Sequence, residues 1–173
     1  MKKTIAGLII GLLISTYSFA SDTEITAKKT KASQYTKCAS NSITTGLIKT
    51  AFNQQSDRES KVMTYGGLAL ALFAGWYTSP EYALSSYKEH QNVLNQDALK
   101  YIKKGSRDEI YKFTVSYLVP RNEKCLPLLK ELEISLRNNK KEFDSFKESK
   151  QAKDLMDAVL QTSKEFVIGK APN

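Results

Sequence analysis

The chain has 173 residues and a formal net charge of +8, with 26 lysines and arginines against 18 acids, one histidine and two cysteines. A lone histidine excludes multi-histidine metal centres, and two cysteines without a Cys-x-x-Cys pair argue against a dithiol redox enzyme. The basic excess is nearly all lysine, with arginine only at 58, 107, 121 and 137, and it forms no basic stripe interleaved with aromatics, so nucleic acid is not an expected partner.

Residues 1–20 read as an export signal. Lys2 and Lys3 make a positive start, Ile5 to Ile14 is uncharged and apolar, and Ser18-Phe19-Ala20 puts small residues three and one before a cut after Ala20. The apolar run is shorter than the roughly 20 residues of a membrane span. The expected mature protein is therefore 153 of the 173 residues, periplasmic, with its net charge reduced by Lys2 and Lys3 from +8 to +6. Residues 21–32 (SDTEITAKKTKA) are polar and unpatterned and read as a flexible leader, and 33–173 as one helical domain.

From Ser33 the positions Tyr35, Ala39, Ile43, Leu47 and Ala51 recur every four residues, with Cys38 and Phe52 alongside, which predicts a first helix. Ser56-Asp57-Arg58-Glu59 has the spacing of a capping box and opens a second, running to Thr78. That helix carries no charge from Val62 to Pro80 and places Gly67, Ala71 and Gly75 on one face, where a neighbour can approach closely. Its firmly apolar part, Tyr65 to Tyr77, is too short for a span, so a central core helix is expected and membrane contact through Val62–Pro80 is the lesser reading.

Ser79-Pro80-Glu81 begins a third helix with Ala83, Tyr87, Leu94, Ala98 and Ile102, ending at Gly105. A second capping box, Ser106 to Glu109, opens a fourth with Ile110, Phe113, Thr114, Tyr117 and Leu118, which Pro120 is expected to end. Cys125, Leu128, Leu129, Leu132 and Leu136 make a fifth stripe, begun or kinked near Pro127. Past Asn138-Asn139 a last helix can hold Phe143, Phe146, Leu155, Met156, Val159 and Leu160, with a polar middle from Lys147 to Lys153 that sets no register. The mixed-sign run from Arg137 to Asp154 reads as a solvated helix face. The fold class is all-α: an antiparallel bundle of five or six helices.

In an oxidising compartment Cys38 and Cys125 are expected to pair as a structural inter-helix disulfide. Their separation of 87 residues gives a loop-closure stabilisation of roughly 4.6 kcal/mol as an upper figure. No other residue is assigned to a site. His90 lies among Lys88, Glu89 and Gln91 and reads as a solvated surface histidine; Ser85-Ser86-Tyr87-Lys88 matches Ser-x-x-Lys without the further motifs of enzymes that use it. Glu131 and Glu133 read as a solvated face. No phosphate loop, nucleophile elbow or calcium loop is present, so no catalytic residue, metal or cofactor is expected.

The signal sequence, Tyr35-Thr36-Lys37-Cys38-Ala39 and Lys124-Cys125-Leu126 together resemble the layout of small periplasmic helical immunity proteins, in particular the amidase-immunity proteins of type VI secretion systems. The resemblance implies a disulfide-stapled bundle that binds and blocks a cell-wall-cutting effector. It covers the two cysteine neighbourhoods and the helix order, leaves Asn139 to Asn173 unaccounted for, and carries over no binding residue. The expectation is a non-enzymatic periplasmic protein whose partner is another protein. Two further classes stay open: a periplasmic chaperone or adaptor, and a membrane-associated accessory protein of a secretion or conjugation system.

Overall fold

In the computed structural model, residues 2–53 and 58–168 are described, with side chains over 22–51 and 58–165, and all of the described elements are helical. They are α1 (Lys2–Asn53), α2 (Arg58–Tyr77), α3 (Pro80–Tyr101), α4 (Arg107–Phe113), a π-helical turn (Thr114–Leu118), α5 (Val119–Glu123), α6 (Leu126–Asn138), α7 (Lys140–Glu148) and α8 (Lys150–Ile168). The side chains of residues 1–21 and of Phe52, and Ser56 and Asp57 of the expected first capping box, lie outside the described residues.

The centre belongs to α1, not to α2 alone. Nearly every residue from Tyr35 to Gly46 is buried, on all sides of the helix, because α2, α3, α5 and α8 pack around it. Tyr35, Ala39 and Ile43 form the apolar stripe, whereas Ala51 at its end is exposed. On another side Thr36, Ser40 and Thr44 are as fully buried, a face that hydrophobic patterning does not reveal. Residues 43, 46 and 50 of α1 meet 67, 64 and 60 of α2, so these two helices run antiparallel.

The small-residue face of α2 makes the approach expected of it. A β-carbon on Gly67 would stand 2.6 Å from Ile43 Cγ1, and one on Gly75 2.7 Å from Leu155 Cδ2 of α8. Gly67, Leu68 and Leu70 to Gly75 are buried, so the middle of the uncharged stretch faces protein, while Val62, Tyr65 and Tyr77 are exposed. Around it Phe73 meets Tyr35 edge-on at 4.9 Å between ring centroids and touches Trp76 and Phe143. A smaller core joins Ile48, Leu94, Ala98, Phe113, Tyr117 and Leu118.

Residues 22–32 are not a free leader. They continue α1, with Ala32 fully buried, the Tyr82 hydroxyl donating to the Lys29 carbonyl at 3.0 Å, and Lys31 paired with Glu131 of α6. Lys29 and Lys31 at the end of this segment are held by partners on α3 and α6, which local composition cannot show, while residues 22–30 are exposed along the helix.

Local signals placed most of the other boundaries. Ser79 caps α3 by accepting from the Tyr82 amide, and Ser106 and Glu109 complete a reciprocal capping box on α4. Gly105, at φ 70°, takes the left-handed turn between them. Pro120 does not end the fourth helix. The chain widens into a π turn over Thr114–Leu118, where the Val119 amide reaches back to the Thr114 carbonyl, and continues to Glu123. A proline has no N–H and its ring crowds the carbonyl four residues back, and a π turn before it relaxes that demand. Pro127 sits in the first turn of α6, where it costs no hydrogen bond. The last predicted helix is two, because Ser149 turns extended (ψ 155°) and accepts from the Ala152 amide as the cap of α8.

Candidate binding surface around the disulfide

Cys38 of α1 and Cys125, the residue capping α6, are joined in a disulfide with Cα atoms 5.8 Å apart. Both are buried, so the bond staples two helices from within. Beside it an open groove of about 470 Å³ runs between α1 and the α5–α6 corner. Gln34, Lys37 and Asn41 line one wall at helical spacing, and Pro120, Arg121, Lys124 and Leu128 the other. Three cations and no carboxylate line it.

Arg121 is positioned from behind. Its guanidinium carbon stands 3.3 Å over the Tyr117 ring, and Nη1 donates to the Tyr117 carbonyl at 3.3 Å. The Tyr117 hydroxyl in turn donates to Asp97, which also accepts from Lys100. Those two bonds, Lys100 first, hold the Asp97 carboxyl below its usual range. Burial, reinforced by Asp97, pushes the Tyr117 phenol up to about 12.

A second groove of about 430 Å³ lies against α4, the π turn and α5, lined by Ile48, Lys49, Arg107, Tyr111, Thr114, Val115 and Val119. Tyr111 is 69% exposed and Val115 45%, and with Val119 they form one row. The widened π turn keeps this four-residue spacing on one face where a regular helix would drift.

Between α1 and α3 runs a seam of polar side chains. Thr36 and Ser86 share a hydrogen bond of 2.8 Å; Ser40 donates to Gln91 Oε1 at 2.9 Å; Gln91 Nε2 donates to Thr44 and to Asn95. Asn122 of α5 enters from the side, donating to Thr45 at 2.9 Å and accepting from Ser42. His90 belongs to this seam and is not a solvated surface residue: it is half-buried, with Nε2 2.9 Å from Ser33 Oγ. Burial, with Lys37 nearby, lowers its pKa, against the opposing pull of Glu89 and Ser33. Tyr87 is fully buried against Ser163 of α8, and burial drives its phenol well above the ordinary range.

The remaining sequence candidates are dispersed. Ser85 and Lys88 are both exposed, while Ser86 is buried and bonded to Thr36. Glu131 pairs with Lys31 and Glu133 with Arg137, so those two carboxylates serve different partners. Among the described residues no three His, Cys, Asp or Glu side chains gather as metal ligands, and no helix is long and apolar enough to cross a membrane. Of the predicted site residues the structure brings together Cys38 and Cys125. Lys37, Asn41, Arg121 and Lys124 escaped the sequence reading, although the spacing of Gln34, Lys37 and Asn41 beside Cys38 was visible in it. Comparisons of the chain with protein families, with curated proteins and with solved structures give no match.

Proposed function

We propose that this chain is an exported, non-enzymatic binding protein of the periplasm, acting as an immunity-type inhibitor that occupies a cell-wall-degrading effector. The observation that carries the binding reading is the exposed row Tyr111, Val115 and Val119 along its groove, a contiguous apolar surface of the kind that marks protein contact. Export rests on the order of Lys2-Lys3, the apolar Ile5–Ile14 run and Ser18-Phe19-Ala20, and a disulfide suits an oxidising compartment. The inhibitor reading rests on the placement of the two cysteines in a helical bundle.

Affinity capture from a periplasmic extract tests it, using the protein and a Tyr111→Ser/Val115→Ser variant. One partner, held one-to-one and lost with the variant, is the expected result, and that partner should cease to cut peptidoglycan when bound. Many weakly held unfolded clients would instead favour the chaperone reading. An empty capture, or one untouched by the variant, would overturn the proposal.

A further inference from the structure

We propose that the groove beside Cys38–Cys125 is a carboxylate-binding site and that its occupant is an acidic segment of the partner protein, an inference that rests on the protein-binding reading above. The first support is charge. Lys37, Arg121 and Lys124 line the groove together, and among the described residues neither Lys37 nor Lys124 forms an ion pair. The N-terminal end of α6 adds to this: its first turn carries no acid, and Cys125 makes no side-chain capping bond there.

The second support is independent of charge. Asn41 is only 5% exposed and lines the groove; its side-chain amide makes no hydrogen bond to the described residues, and since no fully buried side-chain N or O among them lacks a partner, that amide is reached by solvent from the groove. Gln91 in the neighbouring seam, by contrast, spends its amide inside the fold on Ser40, Thr44 and Asn95. An amide held at the wall of a cationic groove, with its N–H₂ unspent, fits an acceptor that arrives from outside. A carboxylate accepts from it and from the lysines at once.

The rest of the groove favours a protein carboxylate over a phosphate-bearing surface. Leu128, Pro120 and the disulfide give it apolar wall for the methylenes of a glutamate. Arg121 is fixed by its face on Tyr117 and by one Nη1 bond, and its remaining in-plane N–H groups are free to meet a carboxylate. Lysines remain as point charges.

The test titrates the purified protein, disulfide intact, with a fluorophore-labelled, end-capped hexaglutamate peptide, and in parallel with inorganic phosphate and phosphatidylglycerol vesicles. Saturable one-to-one binding of the peptide is expected, weakened about tenfold by Lys37→Glu/Lys124→Glu and within twofold of normal in Lys150→Glu/Lys153→Glu on α8, which changes net charge equally. Asn41→Leu should weaken binding too while leaving the melting temperature unchanged or raised, because the Asn41 amide makes no bond within the fold that the substitution would remove. No binding, an equal loss in the α8 variant, a lowered melting temperature in Asn41→Leu, or groove-dependent binding of phosphate or vesicles in preference to peptide would each overturn the proposal. Should the peptide fail while extract capture succeeds, the site falls and the protein-binding reading stands; the reverse outcome keeps the site and removes that reading.

Discussion

Gly67 of α2 faces Ile43 of α1 so closely that a β-carbon at 67 would also stand 3.0 Å from the Ala39 carbonyl oxygen. The same helix pair meets again at Gly46, where a β-carbon would collide with Thr64 Oγ1 and lie 2.7 Å from the Ser60 carbonyl. Backbone on the opposing helix cannot rotate aside as a side chain can. Gly67→Ala should therefore destabilise by about 1–3 kcal/mol, although alanine favours an isolated helix by about 1 kcal/mol. Gly66 meets nothing within 4 Å, so Gly66→Ala should gain up to about 1 kcal/mol. Urea denaturation of the two variants gives the comparison, and shifts of the same sign would contradict the packing described.

Cutting the Cys38–Cys125 bond should remove about 2–4 kcal/mol, less than the loop-entropy ceiling. Cys38→Ala and Cys125→Ala should lower the melting temperature by similar amounts, with little further loss in the double variant, because both break one bond. Thiol titration of the unfolded, unreduced protein should find no free cysteine. Two reactive thiols would refute the pairing.

His90 introduces a pH dependence. Burial holds its folded pKa below the ordinary histidine value of about 6.5, so the unfolded chain binds the proton more readily. The stability that follows is fully present above about pH 6.5 and is lost as pH falls through that value toward the folded pKa. Denaturant midpoints should fall on moving from pH 7.5 to pH 5, and His90→Gln should flatten that part of the profile. An unchanged slope in the variant would show that another group causes it.

Gln91 is the hub of the α1–α3 seam, bonded to Ser40, Thr44 and Asn95 while only 1% exposed. Gln91→Leu should cost about 1–3 kcal/mol, since it strands buried hydroxyls on α1. Adding Ser40→Ala and Thr44→Val should recover most of that loss by removing the stranded groups as well. Thermal melts of the single and triple variants decide it; additive losses would mean that the seam is not a coupled network.

Two kinds of information meet in this molecule. Helix starts at Ser79 and Ser106, the apolar stripe through Tyr35, Ala39 and Ile43, and the pairing of two lone cysteines were legible in sequence. Each depends on residues within a turn or two, or on a count. The candidate groove was not legible, because Asn41 and Lys37 become its wall only when Arg121 and Lys124, some eighty residues on, are brought beside them by the disulfide and by Asn122 docking on Thr45. The same holds for His90, which looks solvated among its charged neighbours until Ser33, 57 residues earlier, covers it. Capping and periodicity are short-range forces written locally into the chain. Burial of a polar side chain is decided by whether a partner distant in sequence arrives to satisfy it, and that is settled only when the helices pack.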